Sequence, residues 1–246
     1  MSNAKFNISG SFIELYFPIW KSSQTYLKDV LRWKPYLSDG IGKNMREQSV
    51  LEHEHSVTAG AMTVVRMIDP FVFEKTGKHL DLLFIHTAYM WHDHPEGLRG
   101  IDTPAPLKRD EDDVEEYLVF MEHIKYLPKQ IKEEYERAFL LQFATNGNKL
   151  FPKEASYIIE NILLKNYYYE ALFFSAFERY EYLFYPKEME ANHEYLLTWV
   201  IRRQIIHYQK FARLLPGFRE VLFSTTLEQE CLNYLKANED VPEPKF

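Results

Sequence analysis

The sequence predicts an all-α chain, a helical bundle with extra helices at its C-terminal end. Three observations carry that fold class. Only nine glycines occur in 246 residues, strand-like alternation between turn signals is scarce, and apolar residues recur at the three-and-four spacing of amphipathic helices. With 46% apolar and 16% aromatic residues, the chain can build one sizeable core, and we read 1–246 as a single domain.

Each element follows from its own signals. Residues 12–37 hold one or two aromatic-rich helical segments broken near Pro18, and SDGIGKN at 38–44 reads as a loop. Ser49 is a predicted N-cap, with Glu52 completing a capping box, for a helix that the segment IDP ends near Met67. The run LDLLFIHTAYMWHD at 80–93 is apolar nearly all round, which predicts a helix buried in the middle of the bundle with His86 in the core. Pro95, Pro104 and Pro106 with Gly97 and Gly100 then predict a long irregular loop over 94–109. Asp110 opens the next helix, because a run of carboxylates suits the positive end of the helix dipole. Helical spacing continues over 128–144, 153–184, 188–214 and 217–236, with Pro186 and Pro216 as boundaries and 238–246 as a frayed tail.

Composition excludes several classes of function. A net charge of −7 without any dense Lys/Arg run does not suit a nucleic-acid polymer, although a metal ion and one or two arginines could still hold a small anion. Cys231 is the only cysteine, so no intramolecular disulfide and no cysteine-rich zinc site can form, which fits a reducing cytoplasm. A leader with a basic start and apolar centre is not evident, nor is a run of eighteen apolar residues, so no membrane partner is expected. Glycine-rich phosphate loops and a serine elbow are absent, and HEH lacks the four-residue histidine spacing of a metalloprotease helix.

The stretch MWHDHPEG at 90–97 carries the richest chemistry. It closes an apolar helix on His92, Asp93, His94 and Glu96. Upstream, His53 and His55 are two residues apart and point to nearly opposite sides of a helix. Val50, Val57 and Ala61 share a face with His53, so His53 is predicted inward and His55 outward. A lone histidine on an apolar stripe is usually a satisfied core residue. Here it precedes a second helix that ends on an imidazole and a carboxylate, a donor set suited to a divalent first-row cation, and neighbouring helices can bring such groups together inside a bundle.

Taken in order, SVLEHEHSV, AYMWHDHPEG and GIDTPAP resemble the HD-domain metal-dependent phosphohydrolases, named for their adjacent His-Asp pair, with the 5′-deoxynucleotidase-like subgroup as the nearest pattern. The resemblance covers an HD-like core of about 30–185, and leaves about 186–240 as a C-terminal helical extension. It implies one divalent metal ion (Mn, Co, Mg, or else Fe, Ni or Zn) held by His53, His92 and Asp93. The fourth ligand falls in ALFFSAFERYEYLF, where Glu178 stands at the position that is usually aspartate and Glu181 at a later acidic position; a solvated face is the plainer reading of both. Glu96 and Asp102 match residues that handle water and protons, although EGLRGID is one residue longer than the usual spacing. Arg46 or Arg32 would grip phosphate, and His94 would either support the ligands or reach the substrate. The implied substrate is a small nucleotide, with a (deoxy)nucleoside 5′-monophosphate favoured. Triphosphohydrolase or phosphodiesterase action at the same site is an alternative, as is a non-catalytic HD-fold protein that binds a nucleotide or a partner. A homodimer is a further expectation, from the family and from the aromatic excess, although most rings in 166–185 are predicted to pack.

Overall fold

The longest helix begins where Ser49 and Glu52 place it. In the computed structural model, which describes residues 27–32, 48–103, 108–183 and 198–240, Ser49 caps α1 (Val50–Thr76). The Glu52 N–H donates to the Ser49 hydroxyl, and the Ser49 N–H donates to the Glu52 carboxylate at 2.9 Å. The helix does not stop at Met67. Pro70 removes a backbone donor, but Pro70 and Arg66 both lie on the exposed side, so the carbonyl left unmatched faces water. α1 ends instead at Gly77, whose φ of 71° makes a left-handed C-cap. Asp69 then turns the chain, accepting the Leu80 N–H at 2.7 Å.

The only strands among the described residues are Leu31–Arg32 and Gln48–Ser49, paired antiparallel with Leu31 opposite Ser49. They clip the segment carrying Arg32 against the start of α1, over a small core of Leu27, Val30 and Val50. α2 (Leu82–Trp91) is capped by Asp81, which accepts from the Phe84 N–H. Its burial is not all-round as predicted: Leu83 is 69% exposed, and His86 lies on the same wet side rather than in the core. Apolar residues on every face do not guarantee neighbours on every face.

The predicted loop over 94–109 is partly helix. α3 (His94–Arg99) carries Pro95 in its first turn, where the missing N–H costs nothing, and ends at Gly100 with φ 71°. Two of the five supposed breakers thus stand at the ends of a helix. Gly97 is required for contact, since a Cβ there would lie 2.6 Å from Leu27. Residues 104–107 fall outside the described residues, as do 12–26, the loop at 38–44, Pro186 and the end of the tail.

α4 (Asp110–His123) begins with four acidic residues in its first turn, and α5 (Lys129–Leu140) runs into a short 3-10 turn at Leu141–Phe143. The run predicted as one helix over 153–184 is two. α6 (Lys153–Ile158) continues through a π turn, Ile159–Leu163, and a last turn, Leu164–Asn166; the backbone breaks at Tyr167 with φ −129°, and α7 (Tyr168–Glu181) follows. α8 (Thr198–Leu214), α9 (Phe218–Val221) and α10 (Thr225–Ala237) complete the chain. Ser224 caps α10 and divides the predicted 217–236 helix.

One buried apolar cluster runs from Val57 to Cys231, so the C-terminal helices share the core of the earlier ones. Phe120 stacks on Phe139 at 4.2 Å and Tyr89 on Phe174 at 4.3 Å. The small residues of α1 serve packing: a Cβ on Gly60 would lie 2.9 Å from the Phe177 ring, which would have to shift to admit it. By length and composition alone α1 could cross a membrane, yet Val57, Ala61, Val65, Ile68 and Val72 on its inner face belong to this core.

Candidate metal centre

Four elements deliver side chains to one point. His53 sits in the first turn of α1, fully buried on the same face as Val57 and Ala61, while His55 is exposed. His92 and Asp93 occupy the joint between α2 and α3, with Asp93 at φ −98°, ψ 0° acting as N-cap residue of α3. Glu178 and Glu181 lie on the last turn of α7. Asp93 Oδ2 is 3.1 Å from His92 Nε2 and 3.5 Å from His53 Nε2. Glu178 reaches both rings, at 3.0 Å from His53 Nε2 and 3.6 Å from His92 Nε2. The ring centres of the two histidines are 5.6 Å apart. Glutamate's extra methylene is therefore accommodated.

The outer nitrogens are held as well. His92 Nδ1 is 2.8 Å from the Tyr89 carbonyl, an acceptor only, so Nδ1 carries the proton and the lone pair of neutral His92 is on Nε2, facing the centre. Glu181 Oε2 lies 3.1 Å from His53 Nδ1. A carboxylate beside one histidine and a carbonyl behind the other is the usual outer support of metal-binding imidazoles. Inside, His92 Nε2, Asp93 Oδ2 and Glu178 Oε2 are buried with no hydrogen-bond partner. Acceptors facing acceptors out of water are costly without a cation between them. His53, His92 and Asp93 thus form a buried group, its ligand atoms all within 4.8 Å of one another, that could hold a metal ion.

Without a metal, protons do that work. Burial and the nearby Arg32 oppose charge on His53, but Glu178 and Glu181 outweigh them and push the imidazole up to about 10. Burial also opposes charge on His92, and Asp93 with Glu178 overcomes it, raising that ring too. In return, the histidines hold Asp93 and Glu178 below the usual carboxylate range despite their burial.

A pocket of about 150 Å³ opens over the centre, lined by His92, Asp93, Glu96, Lys108, Asp113, Phe143, Phe174, Glu178, Arg179, Tyr182 and Gln204 among others. Glu96 is buried, and burial first, then Asp93, Asp102 and Glu116, push its carboxyl well up. Asp102 stands back from the pocket lining. Its carboxylate is 3.8 Å from Arg32 Nε, and the Arg32 guanidinium lies 4.8 Å above the Tyr182 ring, so this pair braces the pocket from behind. His94 does not line the pocket: it packs 4.5 Å from Trp91 and 3.4 Å from Glu54. Arg46 lies outside the described residues.

Sequence reasoning missed Lys108, Arg179 and Gln204. Lys108 stands in no motif, Arg179 is hidden beside Glu178, and Gln204 lies beyond the matched stretch. Comparison with protein-family models, with curated proteins and with solved structures finds no match to this chain. The centre stands on its own geometry.

Proposed function

We propose that the chain is an HD-type, metal-dependent phosphohydrolase that removes phosphate from a small nucleotide, with a (deoxy)nucleoside 5′-monophosphate as the simplest substrate. One observation carries this reading: the three unpartnered acceptors on His92, Asp93 and Glu178 converge beside His53, at the residues where the HD-like pattern falls. Imidazole and carboxylate together favour Mn, Co, Mg, Fe, Ni or Zn. Such an ion supplies Lewis acidity toward a phosphoryl oxygen and makes water a stronger acid.

The chain's own groups do the rest. Glu96, raised by burial, takes the proton from the water that attacks phosphorus, with Asp102 behind it as a second proton acceptor. A bond forms from water oxygen to phosphorus, the ester oxygen leaves, and it receives the proton. Arg32 offers positive charge at the rear of the site. Phe143, Phe174 and Tyr182 give the pocket apolar walls against a sugar or base.

The test is direct. The purified protein is assayed for bound metal and for turnover of a nucleotide panel with Mn²⁺ or Co²⁺ added. His92→Ala and Asp93→Ala are expected to abolish both metal retention and turnover; full turnover in either variant rules this centre out as the active site.

A further inference from the structure

Among the described residues, the lysine and the arginine that line the pocket differ in one respect. Lys108 Nζ lies 2.7 Å from Glu116 and 3.6 Å from Asp113, so its charge is matched on the spot. The Arg179 guanidinium makes no ion pair and no hydrogen bond to any described residue. Burial first, and then the like charge of Arg203 on α8, oppose charge on it and outweigh the pull of Tyr182 and Glu178. His207, one turn along α8, reports the same field: burial first, then Arg179, Arg203 and Lys210, pull its imidazole down to about 4.

A second observation is independent of charge. Gln204 lines the same pocket, is 4% exposed, makes no hydrogen bond to any described residue, and its Oε1 is a buried acceptor without a donor. Leaving such an amide oxygen unmatched out of water is costly. The helices that carry the two residues are tied together, because the Tyr208 hydroxyl of α8 donates to the Arg179 carbonyl of α7 at 2.7 Å. A guanidinium and an amide lining one pocket can hold phosphoryl oxygens, the fork donating two N–H groups and the amide donating from its NH2 end once it is turned so that this end, rather than the oxygen, faces the anion. The carboxylates of Asp93, Glu96, Asp113 and Glu178 also line the pocket, so an anion in it needs the Arg179 charge or a metal to offset them.

We propose that Arg179 and Gln204 form a second anion subsite, and that a nucleotide bearing two phosphoryl groups is preferred over the simple monophosphate, one group hydrolysed at the metal group and the other held by this pair. The assignment rests on the phosphohydrolase reading for its reaction, but its binding part is separable. At the hydrolysed phosphate, water oxygen bonds to phosphorus and the bridging oxygen departs and takes the proton, as an ester oxygen in a bisphosphate or as an oxygen of the retained phosphate in a diphosphate.

The experiment uses the full chain with Mn²⁺ and three probes: adenosine 5′-monophosphate, adenosine 5′-diphosphate and adenosine 3′,5′-bisphosphate. In the wild type, kcat/KM for one of the two-phosphate probes should exceed that for the monophosphate by at least about tenfold, the size of one charged hydrogen bond. The better probe tells whether the second phosphate is attached through a pyrophosphate link or through another hydroxyl. Arg179→Gln should bring the ratio near one, Arg179→Lys should restore part of it, and Gln204→Leu should lower it several-fold, with melting curves checking the fold of each variant. Calorimetric titration with pyrophosphate and orthophosphate reads the subsite apart from catalysis. A missing turnover with a pyrophosphate preference that Arg179→Gln removes sinks the phosphohydrolase reading and keeps the subsite. No preference for two phosphates in either measurement, or an equal loss for both kinds of probe in Arg179→Gln, overturns the subsite.

Discussion

The aromatic core and the polar centre touch at Tyr89, and they are built on opposite rules. In the core, Tyr89 stacks on Phe174 and its hydroxyl donates to the Phe174 carbonyl at 3.1 Å, so a buried polar atom is matched within the fold. One residue contact away, His92, Asp93 and Glu178 keep buried acceptors unmatched. The first region stabilises the chain unaided; the second is stable only with protons or a cation in it. That difference separates the part of the molecule that folds from the part that acts.

The largest effect that sharpens this contrast belongs to the core. Phe139 is fully buried and stacked on Phe120, so Phe139→Ala should destabilise the chain by about 3–5 kcal/mol in a denaturant titration. A loss under about 1 kcal/mol would mean the core is not what holds the bundle together. Next comes the metal. At about one hundred times its dissociation constant, Mn²⁺ should stabilise the wild type by about 2.7 kcal/mol and leave Asp93→Ala close to unchanged, with protons released to solvent as the two histidines give up theirs. An identical melting temperature with and without Mn²⁺ in the wild type would erase the distinction between the regions.

The smallest effect lies at their border. Burial, and then the charge of His94, pull His123 down from its ordinary 6.5 to about 4. The unfolded chain therefore binds a proton there that the folded chain refuses, and stability is lost as pH falls from about 6.5 toward 4. The slope of stability against pH over that window should be shallower in His123→Phe than in the wild type. An identical slope would show that the border is as wet as the surface.

Much of this arrangement is legible in the sequence because its signals are local. Ser49 with Glu52 fixes one helix start, the two-residue offset of His53 and His55 fixes which one points inward, and the His-Asp pair marks the end of α2. What escapes the sequence depends on surroundings. Pro70 fails to end α1 because its side of the helix is wet; Pro95 and Gly100 break nothing because they stand at the two ends of α3. His86, some 240° from His92 at about 100° per residue, is correctly turned away from the centre, but the side it faces is solvent rather than core. Lys108 and Arg179 look alike as letters, and only the positions of Glu116 and Asp113 make one matched and the other not.

Gly60 has a consequence for the centre itself. It lies two helical turns beyond His53 and meets the ring of Phe177, the residue before Glu178, so the bare backbone at this position leaves room for that ring between the helix that carries His53 and the helix that carries Glu178. A single methyl there works as a shim. Its cost would fall on the spacing of these two helices, without touching any of the polar groups that meet between them.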